Sequence, residues 1–534
     1  MDRRDFLISA AVSSFLYHES CGRTKSQSNK TADALPAFDK TLEEKNALTL
    51  LGAVTLGFNA KQVDLLIGKM PLDALSLLYK DEDLMLPLNY EFAEDRTVAL
   101  GETWINAPYR LDVFYEQYRK KSLRTWLLDN YHTHGASLRM KLLLFWLNHF
   151  GVSDVFEHKY EYIHIKFLHD NAWGNCKDIV KKITIDPAML RFLSGFENTV
   201  HAPNENFARE LLELFTIGKG PLAADGDYTT YTEKDVEQCA KILTGWTDKG
   251  WFTQDSNEKV SVVFREQNHD QTTKQLSHRF SNRKIKPNGS KEFEDLIDII
   301  FEQEQTAIFL TQKIYRWFVA DHIDENTLKN IIMPLAATLR NNNYELKPML
   351  EKLLTSAHFY ETSTHSVRIK SPAEFVFGVL NFLPMKLPKP LKAYHNFWFR
   401  VFQLMNNMGM EMLKPPSVAG WKAYYQEPDF SKLWINAATL QGRMAFAEFI
   451  TSDNLTIEGE QVDVDIEALL KTANCNSANE LTRFCCKHLF KSPPTDDLLT
   501  QATAACSAAT GGIDARGVKQ MLRILLTAPQ IHLA

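Results

Sequence analysis

The sequence predicts a mainly α-helical fold, and three observations carry that prediction. Apolar residues recur three and four positions apart through most of the chain. Only one stretch, 260–264, is β-branched and aromatic in the manner of a strand. No segment repeats at the period of roughly 20 to 50 residues that marks a solenoid. The expected architecture is one large multi-helical domain with a short β-hairpin insertion, followed by a small C-terminal helical subdomain. Composition changes place the boundaries: a leader over 1–21, a polar linker over 22–41, the large domain over 42–452 and the subdomain over 453–534.

Bulk properties narrow the function classes. The 534 residues are 45% hydrophobic and 24% charged, as in ordinary globular proteins. A formal net charge of −6 gives no general attraction to nucleic acid. After the leader, no stretch reaches the roughly 18 apolar residues of a membrane-spanning helix.

The leader carries an address. Arg3-Arg4 is followed by Phe6-Leu7 and an apolar run to Leu16, which is signal-peptide length. The pattern is similar to a twin-arginine export signal, whose translocon carries folded proteins. Export to the periplasm, envelope or medium is the expectation. Cys21 is a candidate lipid anchor, and Ala32-Asp33-Ala34 is an alternative processing point. The seven cysteines stand at 21, 176, 239, 475, 485, 486 and 506 and include no C-x-x-C pair, which argues against zinc-ribbon and thioredoxin chemistry. Four lie between 475 and 506, so a C-terminal disulfide is open to an exported chain.

The elements follow in order. Helical spacing begins at Leu42 and breaks at Gly57-Phe58-Asn59; a second helical stretch over 61–80 is interrupted by Gly68 and Pro71, and 82–100 reads as loop. Residues 137–150 form an apolar helix without a polar face, which belongs in a core, with His149 in its last turn as a carbonyl cap. Asp186-Pro187 is a breaker. The densest pattern is 203–218, read as one helix: Asn204 caps it, Phe207, Leu211 and Leu214 share a face, and Gly218 stops it. On its other face Arg209 stands four residues from both Glu205 and Glu213, so one guanidinium can meet two carboxylates. Thr232 and Asp235 form a capping box for the next helix. Helices resume at 291, 307–319, 327–340 and 348–356, and the Pro- and Lys-rich stretch 386–392 is a surface connection.

Several phrases occur together and in order: Phe145-Trp146, Asn148-His149-Phe150, Gly174-Asn175, Asp186-Pro187-Ala188-Met189-Leu190, the run 203–218, and Tyr231-Thr232-Glu233 with Asp235-Val236. Leu243-Thr244-Gly245-Trp246, His269-Asp270, Lys313, Phe318-Val319, Ser371-Pro372 with Glu374-Phe375, and Pro415-Pro416 with Gly420-Trp421 continue them. On these residues the chain resembles the bacterial family known as domain of unknown function 1800, over residues 45 to 450. The resemblance implies a mainly helical, secreted protein. It also implies a partner, because such proteins are often encoded beside a second exported family that resembles sulfatases and alkaline phosphatases. It implies no established reaction. The chain departs from the family pattern at Leu147, where members commonly carry histidine, and at Gln271-Thr272-Thr273, where a glycine-rich turn is usual.

Two chemistries are candidates. A divalent metal would take His149, His269 and Asp270, joined by Glu205, Glu210 or Glu213, an N/O set suited to zinc, iron or manganese. Acid–base chemistry would use Glu205, Glu210 and Glu213 beside Glu233 and Asp235, with Arg209 holding an anionic substrate or, alternatively, tying helices together. Nucleophile-elbow, phosphate-loop and dinucleotide motifs are absent. Two functions are therefore expected. One is an exported metal- or carboxylate-dependent enzyme acting on envelope or environmental polymers. The other is a non-catalytic envelope binding or assembly protein working with the sulfatase-like partner.

Overall fold

The computed structural model describes residues 35–110, 114–361, 368–507 and 513–534. The expected export signal, the candidate anchor Cys21 and the alternative processing point at 32–34 lie outside them. Helix accounts for 56% of the chain, so the mainly α expectation stands. Among the described residues the β structure is confined to five two-stranded sheets. Strand Ser261–Phe264 is the predicted one, and it pairs antiparallel with Trp246–Lys249, Trp246 opposite Phe264 and Lys249 opposite Ser261. The aromatic residues after Leu243 thus begin as the partner strand.

Helix Leu138–His149 is buried at every position, as its apolar sequence demands. Ser137 caps it, its hydroxyl accepting from Arg139 N at 3.2 Å. Around it Trp146 stacks on Phe150, while Phe150 meets Phe215 and Phe145 meets Trp317 edge to face. The cluster of buried apolar side chains that contains these runs from Leu35 to Ile531. C-terminal elements share in it: Met385–Lys386 pairs with Asp463–Val464, and helix Ala437–Ile450 packs on Ala515–Thr527.

The stretch 203–218 is not one regular helix. Asn204 caps an α-helix over Glu205–Glu210 that widens into a π turn over Leu211–Thr216. Thr216 Oγ1 donates to Leu211 O, five residues back, at 2.6 Å. Ile217 N and Gly218 N both return to Leu212 O. Gly218 then turns away at φ +77°, with Phe309 so close that a Cβ would stand 2.6 Å from its ring. The expectation failed because the apolar spacing of two turns fits α and π geometry alike.

The Thr232 box forms as read, Asp235 Oδ2 accepting from Thr232 N at 2.8 Å and Asp235 N donating to Thr232 Oγ1 at 3.3 Å. Gly68 and Pro71 separate helices Ala60–Leu66 and Pro71–Ser76. Cys176, Cys239, Cys475, Cys485, Cys486 and Cys506 are all free thiols, so the C-terminal disulfide left open by the sequence is not formed among them.

Candidate functional site

The predicted residues gather at three separate places. The first surrounds Arg209, whose two terminal nitrogens meet Glu233 at 2.9 and 2.7 Å, one to each carboxylate oxygen. Glu205 and Glu213 lie farther out, at 3.6 and 3.8 Å. Glu213 also takes Lys219 at 3.1 Å and a short hydrogen bond from the Tyr231 hydroxyl. The hydrogen bonds to Glu233 outweigh burial and hold the guanidinium firmly charged, and the same bonds lower the Glu233 carboxyl. Glu210 is half-buried on this helix. Asp235 is taken up by its capping box and by Ser277, whose N and Oγ donate at 2.7 and 2.6 Å.

The second place is His149. Its Nε2 donates to Phe215 O at 3.1 Å, and its Nδ1 accepts from Lys313 Nζ at 3.2 Å; these partners assign a neutral ring. Lys313 also donates to Leu214 O at 3.0 Å. His149 therefore meets the carbonyl end of the π turn and not, as expected, the end of its own helix. Burial, reinforced by the Lys313 charge, keeps the imidazole well below its ordinary value.

The third place is a buried knot. His269 Nε2 meets Glu292 Oε1 at 2.9 Å, its Nδ1 lies 2.9 Å from Thr244 O, and Lys274 Nζ donates to Glu292 Oε2 at 2.6 Å. Lys274 also donates to Asp270 O, while the Asp270 carboxylate accepts from Thr272 N at 2.7 Å and from the Thr272 hydroxyl. Burial raises both acids, yet the hydrogen bonds outweigh it and leave Glu292 and Asp270 below their usual values. Glu292 was not foreseen. His149 and His269 are thus held by different partners, and among the described residues no group of three His, Cys, Asp or Glu side chains is placed to hold a metal ion.

A cavity of about 750 Å³ lies elsewhere. Helices Glu44–Val54, Pro372–Phe382 and Ala478–Leu489 wall it, with the 490–494 segment and the last residues of the chain. Segment 368–370 is positioned by the C-terminal residues: Lys370 N donates to His532 O at 2.7 Å and Ala534 N to Arg368 O at 2.8 Å. Ser371 and Glu374 form a capping box, with Glu374 Oε2 accepting from Ser371 N at 2.8 Å. Glu374 Oε1 takes Lys141 at 2.5 Å and Arg368 at 2.8 Å. Against the cost of burial, Arg368 and then Lys141 hold it far below an ordinary carboxyl. Lys370 Nζ donates to Leu489 O at 3.0 Å. Neither Lys370 nor Lys491 has a carboxylate within 4.0 Å among the described residues. Ser371 and Glu374 belong to the phrases of the family resemblance, whereas Lys370 and Lys491 carry no sequence signal, because 368–374 and 487–491 are far apart in the chain and share no local pattern.

Fold and cavity define a mainly helical protein with a basic, half-open chamber. The chain belongs to the family described as "Protein of unknown function (DUF1800)", whose model matches residues 22–533. No curated protein and no solved structure matches it.

Proposed function

We propose that the chain is an exported, non-catalytic binding or assembly protein of the cell envelope, working with a sulfatase-like exported partner. The supporting observation is the use made of the predicted catalytic and metal residues. Arg209, His149 and His269 each tie one element to another, through Glu233, through Phe215 O and Lys313, and through Glu292. Groups committed to such contacts serve packing and orientation rather than proton transfer. The Arg3-Arg4 leader supports export.

The test has two arms. Arg3→Lys with Arg4→Lys is expected to keep the chain in the cytoplasm, measured by cell fractionation. Co-expression with the sulfatase-like neighbour should give a complex on size-exclusion chromatography, and purified protein, with or without added zinc or manganese, should turn over no sulfate ester, phosphate ester or glycan. Turnover that Glu210→Gln abolishes without lowering the melting temperature would establish the polymer-degrading enzyme instead.

A further inference from the structure

We propose that the cavity binds a small amphiphilic anion, its carboxylate, phosphate or sulfate head held by Lys370 and Lys491 and its apolar chain lying against Leu48, Phe58, Phe375 and Leu533. This deepens the binding-protein reading and rests on it.

Charge balance argues for an anionic occupant. Of the acids on the lining, Glu374 is committed to Lys141 and Arg368, and Glu44 to Lys487 at 2.5 Å. Lys370 and Lys491 remain without a carboxylate partner among the described residues. Ammonium groups held this way are costly unless a counter-charge arrives. Burial first lowers both amines to about 8: on Lys370 Glu374 opposes it while Lys491, Arg443 and Arg368 add to it, and on Lys491 Arg368 and Lys45 add to it. A bound anion relieves that repulsion.

Shape argues for a chain behind the head. The volume lies within the roughly 300–1,000 Å³ of small-ligand sites. The apolar walls offer nothing to a bare inorganic ion. Two glycines keep them open. Gly52 lies inside helix Glu44–Val54 and Gly378 inside helix Pro372–Phe382, both on the lining, and a Cβ built on either meets nothing within 4 Å. Each sacrifices roughly 1 kcal/mol of helix stability relative to alanine, with no packing neighbour requiring it.

The glycines also supply a clean test. Titration calorimetry on the full chain compares decanoate, decyl phosphate, decanol and inorganic phosphate, all below micellar concentration. The two amphiphilic anions should bind one to one, whichever is tighter identifying the head, with decanol and inorganic phosphate at least tenfold weaker. Lys370→Met and Lys491→Met should each weaken binding tenfold or more. Gly378→Leu, which keeps both lysines, should abolish binding without lowering the melting temperature. Equal binding of decanol, or unchanged affinity in Lys491→Met and Gly378→Leu, overturns the proposal. If no probe binds while the partner complex still forms, this inference fails and the binding-protein reading survives. Ester turnover by a chain that binds decanoate normally removes that reading and leaves the cavity site.

Discussion

Lys313 Nζ stands 3.2 Å from His149 Nδ1. A lysine that meets an imidazole and a carbonyl, with no carboxylate within 4.0 Å among the described residues, favours neutrality in both the amine and the ring. Burial, then Arg316, brings the Lys313 amine down to about 7, and burial with the Lys313 charge depresses His149.

Acid should therefore destabilise the fold through His149. Its folded value is depressed, so the unfolded chain takes up the proton first as pH falls below about 6.5, at a cost of up to ~1.4 kcal/mol per pH unit. His395 and His532, lowered by burial to about 4 and about 3, act the same way. Urea unfolding between pH 7 and 5 should show falling stability, and His149→Gln a shallower fall. An unchanged slope in that variant would refute the assignment.

Lys313 acts over a higher window. Between about pH 7 and 10.5 the unfolded amine still holds a proton that the folded one has released, so this group makes stability rise with pH. Lys313→Met should lose that component of the rise and be more stable than the parent at pH 7. Melting curves across the alkaline range decide it.

The ion pairs should differ sharply in worth. Arg209 and Glu233 keep 31% and 42% of their side-chain surface exposed, so a double-mutant cycle should return a coupling of about 1 kcal/mol or less. Lys274 and Glu292 are fully enclosed. Glu292→Gln should cost about 3–5 kcal/mol by leaving a buried ammonium without its counter-charge. Comparable losses at the two places would contradict this ordering.

Thiol accessibility gives a fourth check. Burial pushes the Cys176 thiol up to about 12 and the Cys486 and Cys506 thiols up to about 11. Of the six described cysteines only Cys475 is part-exposed. Maleimide labelling of native protein, read by mass spectrometry, should mark Cys475 first and the other five only on unfolding.

What the sequence made legible was local. The Thr232–Asp235 box, the buried 137–150 helix, the Gly68 and Pro71 breaks and the strand at 260–264 each announce themselves within a few residues, through capping chemistry or periodicity. The phrases of the family resemblance also meet in space: Trp421 N donates to Asn148 Oδ1 at 2.9 Å, and Gly420, at φ +88°, admits the Asn148 side chain where a Cβ would stand 2.2 Å from it. Their proximity was not readable, because the two lie 273 positions apart. The different surroundings of His149 and His269 were hidden for the same reason: chemistry-bearing side chains can be named from sequence, but their partners, Lys313 and Glu292 among them, are set by helix packing. The cavity was hidden most completely, since an unfilled volume leaves no periodic signature.

The π turn has a further consequence when the hub is considered as a length of chain. Leu211–Thr216 holds about one residue more than an α-helix of the same rise. The extra residue adds almost no rotation, so deleting one there would restore regular geometry and leave the chain beyond Gly218 close to its present direction. What would shift are the Leu214 and Phe215 carbonyls, which now accept from Lys313 and His149. A segment that resembles an ordinary amphipathic helix thus holds one residue whose loss would be felt in those two contacts rather than in the path of the chain.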